Sequence, residues 1–206
     1  MERLNYQSYF VALILMLYPV LANSQKTADE VDYNFKRGFY TDGFQLVLST
    51  KTKGGAIRYT LDGSKPAMNN GQVYSGPVTI KSNTVVRAYA YAARYKDSKI
   101  KTHSYFFPEQ VIRQKDRMKE DYGYDYSSDR TGKVFWTEEM DPEIVDAPEY
   151  KDDILQGLID IPTLSVVMSK DDLWSENGIH WGENLNKQGD DFERECSIEM
   201  IYPEGY

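Results

Sequence analysis

Residues 57–66 read I-R-Y-T-L-D-G-S-K-P, and this stretch decides the fold. Ile57, Tyr59 and Leu61 alternate with Arg58, Thr60 and Asp62. A period of two marks a strand with one buried face and one wet face. Asp62-Gly63 ends the strand in a tight turn, and Pro66 prevents its continuation. Upstream, Phe44, Leu46 and Leu48 alternate with Gln45, Val47 and Ser49, and Lys53-Gly54-Gly55 supplies the intervening turn. Downstream, Met68–Gly71 is a loop of turn formers and Val78–Lys81 a short strand. Val85–Ala92 is the longest strand. Its Val86, Ala88, Ala90 and Ala92 make a small-residue face that admits another sheet, with Arg87, Tyr89 and Tyr91 opposite. Ser98–Phe107 closes the set before Pro108. Short strands with turns at regular spacing predict a mainly β fold, an antiparallel β-sandwich over residues 35–107.

Five pieces in this order carry a resemblance: G-F-Y (38–40), L-V-L-S (46–49), I-R-Y-T-L-D-G-S-K-P, Y-S-G-P-V-T-I (74–80) and V-V-R-A-Y-A (85–90). Together they resemble the C-terminal domain of chitobiases and β-hexosaminidases. That domain is similar to the D-type sandwich of some family 29 glycoside hydrolases and is loosely fibronectin III-like. The resemblance implies an Ig/fibronectin III-like sandwich accompanying a carbohydrate-active neighbour.

Residues 1–24 read as a secretory signal peptide: Arg3, an apolar run Phe10–Tyr18, then Pro19 and the small-residue site Ala22-Asn23-Ser24. The apolar run is too short to span a bilayer. The chain is therefore expected to be secreted or held in the cell envelope, without stable membrane insertion after cleavage. Its single cysteine, Cys196, rules out an internal disulfide. A net charge of −8 argues against a nucleic-acid partner. Residues 25–34 read as a polar leader, and residues 108–139, charged and Tyr-rich around Y-G-Y-D-Y (122–126), as a linker.

Beyond the linker the pattern becomes mixed α/β. Asp141-Pro142 reads as a helix N-cap, and Asp146 as the cap of a second helix reaching Asp160 with Ile154, Leu155, Leu158 and Ile159 on one face. Thr163–Met168 is an apolar strand, Asp171–Trp174 a helical turn, and Glu195–Tyr202 a strand. In that last strand Cys196, Ile198 and Met200 face away from Ser197, Glu199 and Ile201, so Cys196 is expected to be buried among apolar neighbours. The pieces M-D-P-E-I-V (140–145), I-P-T-L-S-V-V-M (161–168), D-L-W…G-I-H (172–180) and G-D-D-F-E-R-E-C-S-I-E-M-I (189–201) resemble the start of a spore-coat-protein-H-like (CotH) kinase domain. Phe192-Glu193-Arg194 stands where that family usually has Trp-Glu-Arg. The resemblance implies that residues 140–206 begin such a domain, and that its ATP-binding and catalytic residues lie further on. Strand partners beyond Tyr206 would then be missing, which predicts a loose C-terminal segment beside a stable sandwich.

No residue pattern points to catalysis. His103 and His180 lack a spaced Cys/His cluster for zinc, and no glycine-rich phosphate loop is present. Asp190, Asp191, Glu193 and Glu195 are paired acids in a chain where acids are frequent, so a glycosidase dyad is not inferred. Asp62 suits turn capping better than calcium. The chain thus reads as a secreted, non-catalytic accessory domain without a cofactor or metal. Its expected partners are a neighbouring domain of its parent and polysaccharide. Alternatives are a parent that is a kinase-like phosphotransferase, or a carbohydrate-binding module. Tyr89 and Tyr91, about 7 Å apart along one strand face, are the candidate sugar contacts.

Overall fold

A computed structural model of the chain describes residues 25–115, 139–151, 153–179, 184 and 186–203. The signal-peptide reading, the Y-G-Y-D-Y run and His180 lie outside the described residues.

The alternating stretch that begins at Ile57 lies in β5, Ala56–Thr60. It pairs antiparallel with β8, Thr84–Tyr91, through Ile57↔Ala90 and Tyr59↔Ala88. β8 in turn pairs antiparallel with β9, Lys101–Phe106. β2 (Gly38–Phe39) adds to β9 in parallel, and β6 (Gln72–Val73) closes the other edge. The order of this five-stranded sheet is β2-β9-β8-β5-β6. Opposite it lie two short ladders, β1 (Asp32–Tyr33) with β4 (Leu48–Ser49), and β3 (Phe44–Leu46) with β7 (Val78–Ile80).

The core between these layers holds Leu46, Leu48 and Ile80 on one side and Ile57, Tyr59, Val86, Ala88, Ala90 and Tyr105 on the other. The mainly β sandwich expected from the alternation is the observed fold. Val86, Ala88 and Ala90 are fully enclosed, as a small-residue face against a second sheet requires. Leu61 departs from its expected inner position and is exposed, because β5 ends at Thr60. Asp62 then caps its turn, accepting from Ser64 N at 3.0 Å and Ser64 Oγ at 2.6 Å. Gly63 follows with φ 76°, a conformation that suits glycine.

The leader and the linker both begin differently from their sequence reading. Ala28 and Val31 are buried in the core, and Tyr33 packs against it. Hydrogen bonds from Ala28 N to Lys96 O (2.8 Å) and from Lys96 N to Lys26 O (3.0 Å) hold this segment down. Its apolar residues are too sparse to read as a strand, yet three contacts at the right spacing suffice. After β9, Pro108–Val111 forms one helical turn, with Pro at its start where a missing N–H costs nothing.

The C-terminal part has a helical turn Pro142–Val145, capped by Asp141 as expected. A seven-residue helix, Ile154–Asp160, follows and is shorter than the sequence reading. β10 (Thr163–Met168) and β11 (Cys196–Ile201) then form a two-stranded antiparallel ribbon in six-residue register. These two strands are each other's partners. The ribbon packs on the outer face of the five-stranded sheet beside β9. Among the described residues no helix is long and apolar enough to cross a membrane.

Candidate functional site

The outer face of the five-stranded sheet is polar because residues alternate along each strand. Arg87 and Tyr89 come from β8, Thr102 and Ser104 from β9. All four are nonetheless buried. The ribbon covers much of this face and meets it with its more polar side: Ser165 opposite Glu199 and Val167 opposite Ser197, with Ile201 buried at its end. Thr102 Oγ1 donates to Ser197 Oγ at 2.8 Å. Ser104 Oγ donates to Glu199 Oε2 at 2.6 Å, so at the 2.9 Å Ser104–Ser165 contact it is Ser165 that donates.

Glu199 is the centre of this seam and is 2% exposed. Arg37 Nε stands 3.2 Å from its Oε1, an ion pair by distance without the alignment of a hydrogen bond. Burial raises the Glu199 pKa above the usual carboxylate range, against the opposing pull of Ser104 and Arg37. Burial lowers the Arg87 pKa, with Glu195 and Tyr33 acting the other way. Arg87 Nη1 donates to Gly63 O at 3.3 Å, fixing the Asp62-Gly63 turn under the ribbon. At the exposed rim Lys65 Nζ donates to Glu195 Oε2 at 2.7 Å. Such a seam adds little net stability, since desolvation offsets the pairing, but it specifies one docking register.

The other side of the ribbon is apolar and open. Its cross-strand pairs are Leu164↔Met200, Val166↔Ile198 and Met168↔Cys196. Leu164 is 56% exposed, Val166 53%, Ile198 63% and Met200 41%. Cys196 is exposed on this same face. The expectation that Cys196 is buried is therefore corrected: the face that points inward is Ser197, Glu199 and Ile201. Sequence reasoning had separated the two faces but assigned the apolar one to the core. The signal that could have reversed it is the matching polar run Thr102-x-Ser104 on a strand central to the sheet.

The other sequence candidates fall elsewhere. Tyr89 is 4% exposed and Tyr91 half-buried, with ring centroids 5.8 Å apart and tilted by 41°. The pair lacks the two open ring faces that stacking on a sugar needs. His103 points into the sandwich, stacked on Tyr33 at 4.1 Å, with Nδ1 3.3 Å from the Phe35 carbonyl. Burial, then the Arg37 charge, pushes its pKa down to about 4, so at neutral pH it is uncharged and donates to that carbonyl. Glu195 is engaged by Lys65, and its pKa is lowered by that bond. The bonds from Ser64 hold the Asp62 carboxyl below its ordinary range although burial works to raise it. Among the described residues no group of three His, Cys, Asp or Glu side chains is placed to hold a metal. Arg194 ties the ribbon's approach to the preceding loop, donating through Nη2 to Asn177 O at 2.6 Å and through Nη1 to Asp191 O at 2.8 Å.

Residues 35–102 match the family of the chitobiase/beta-hexosaminidase C-terminal domain. The match ends inside β9, so the ribbon and the seam's far side lie outside it. The domain is named from two glycan-cleaving enzymes. No curated protein and no solved structure matches the chain.

Proposed function

We propose that this chain is a secreted, non-catalytic accessory module that holds a neighbouring domain of its parent protein against a β-sandwich. The open apolar face of the ribbon carries the reading. A two-stranded ribbon that turns Ser165, Ser197 and Glu199 inward with Val167 and Ile201, and Leu164, Val166, Ile198 and Met200 outward, has the form of the middle of three layers. Its polar side registers it on the sandwich, and its apolar side is shaped for a further layer. Monomeric proteins rarely expose a contiguous apolar patch of this kind without use. Each large side chain covered there contributes roughly 1.5–3 kcal/mol. The resemblance of residues 140–201 to the start of a CotH-like domain supports the view that the neighbour is kinase-like. The parent would then be a phosphotransferase, with its chemistry outside these residues.

Cys196 makes the test direct, because it is the chain's single thiol and sits on the proposed docking face. In the chain alone a thiol reagent labels Cys196 at the rate of a free exposed thiol, and a fluorescent apolar dye binds. The double variant Val166→Lys, Ile198→Glu, an opposite-charge cross-strand pair, abolishes dye binding without lowering the melting temperature. Slow labelling, or a large loss of stability in the variant, would show that this face is already covered within the chain.

A further inference from the structure

The charges of the chain are divided unequally between its two parts. Residues 25–107 carry 13 Lys and Arg against 6 Asp and Glu, whereas residues 108–206 carry 10 against 25. The net charge of −8 therefore conceals a basic sandwich. The fold gathers much of that excess at one end. Lys96 N donates to Lys26 O at 3.0 Å and Ala28 N to Lys96 O at 2.8 Å, so the leader lies along the loop between β8 and β9. Asp29 N donates to Thr52 Oγ1 at 2.7 Å, which brings in the loop before β5. Ala56 at the start of β5 pairs with Tyr91 at the end of β8, so both loops leave the sheet at the same end. Lys26, Lys51, Lys53, Arg94, Lys96 and Lys99 lie on these three segments, and all six are exposed. Among the described residues none of the six is in an ion pair. The carboxylates on the same segments are Asp29, Glu30 and Asp97, of which Asp29 is engaged by Thr52 Oγ1 at 3.1 Å.

The acidic part sits toward the opposite end. Leu158 lies with Phe106 and Pro108, and Val167 lies beside Gly63, whose N–H donates to Val85 O near the start of β8. The eight residues of β8 span about 25 Å, well beyond the Debye length of about 8 Å at physiological salt. The two charge centres are thus screened from one another, and the molecule is electrically polarised along its strands.

We propose that the basic end docks end-on to an anionic phospholipid surface. Six cations on three separate loops can reach a plane together, and clusters of this size suit anionic headgroups. Tyr91 and Tyr95, both half-buried, flank the Arg94 turn, and tyrosine rings suit the headgroup level. A long flexible polyanion such as nucleic acid would follow the protein surface onto the acidic part and be repelled there. A plane touches only the basic end and holds the acidic part away from it. This surface is independent of the ribbon's open face, which it leaves free.

The test is co-sedimentation of the whole chain with phosphatidylcholine vesicles, with and without roughly 30% phosphatidylglycerol, in about 50 mM salt. The anionic vesicles bind at least tenfold more tightly than the neutral ones, and about 0.5 M salt removes the difference. The triple variant Lys51→Glu, Lys96→Glu, Lys99→Glu binds anionic vesicles no better than neutral ones, with an unchanged melting temperature. The triple variant Lys81→Glu, Lys115→Glu, Lys151→Glu carries the same change of net charge at other positions and keeps most of the binding. Val166→Lys, Ile198→Glu on the ribbon binds like the parent, which separates this surface from the docking face. The proposal is overturned if neutral vesicles bind equally, as insertion of the apolar run Phe10–Tyr18 would give, or if the second triple variant loses as much as the first. Duplex DNA binding as tightly as the anionic vesicles at the same salt would also overturn it and assign the basic end to nucleic acid.

Discussion

The sandwich and the ribbon use the same alternating strands in opposite senses. In β8 the apolar residues Val86, Ala88 and Ala90 point into a core and are fully enclosed. In β11 the apolar residues Ile198 and Met200 point to solvent, while Glu199 is 2% exposed. One region is held by apolar packing, which is strong and tolerant of small shifts. The other is held by a mixed seam, in which a polar network that is weak in net energy and strict in geometry runs beside the buried Val167 and Ile201.

The comparison breaks most visibly on substitution. Tyr105 is wholly buried, so Tyr105→Ala is expected to cost about 3–5 kcal/mol, read as a large fall in melting temperature. Ile198→Lys, on the open face, should lie within about 0.5 kcal/mol of the parent. Equal losses from the two would mean that the ribbon's outer face is buried.

Protonation offers the next largest effect. The native pKa of His103 is lowered from 6.5 to about 4, so the native state binds fewer protons than the unfolded chain between these values. Its contribution is complete above pH 6.5 and is lost as pH falls toward 4, up to about 3 kcal/mol for a shift of that size. Glu199 runs the other way. Its pKa is raised, so its contribution is full below the ordinary carboxylate range and is lost as pH rises through the raised value. Denaturant melts from pH 7 to pH 4 should show declining stability, and His103→Gln should flatten the decline. A decline unchanged in His103→Gln would place the titrating group elsewhere.

The seam itself is sharpened by Glu199→Ala. Removing the carboxylate deletes the acceptor of the buried Ser104 hydroxyl and the opposite charge beside Arg37, at roughly 1–3 kcal/mol. Hydrogen exchange should speed up in β10 and β11 while β5 and β8 stay slow. Uniform acceleration across the chain would mean that ribbon and sandwich unfold as one unit. A smaller loss is expected at Gly63, whose φ is 76° and whose added Cβ would lie 3.3 Å from Val167 Cγ1. Gly63→Ala should cost about 1–2 kcal/mol, and the loss should shrink when Val167 is trimmed to Ala. An undiminished loss would assign the strain to the backbone alone.

Much of the sandwich was legible because its signals are local. Alternation over Ile57–Thr60 and Val85–Tyr91, with turn formers between strands, depends only on neighbours in sequence. The Asp141 cap and the strand Thr163–Met168 were readable for the same reason. The candidate sites were not. Tyr89 and Tyr91 share a strand face as expected, but whether that face meets water depends on what packs over it. The basic end gathers Lys26, Lys51 and Lys99 from three segments that only tertiary pairing brings together.

By itself the amino-acid sequence determined which residues alternate, where the strands turn, and that each strand has two unlike faces. Period-two patterning is symmetric, so it cannot say which face turns inward. For the sandwich the answer followed from the number of apolar strands available to make a core. For the ribbon only the tertiary structure decided it. Ser104 and Arg37, far away in sequence, offer Glu199 the partners a buried carboxylate requires, and so the face with Glu199 turned in and the face with Leu164, Val166, Ile198 and Met200 stayed exposed.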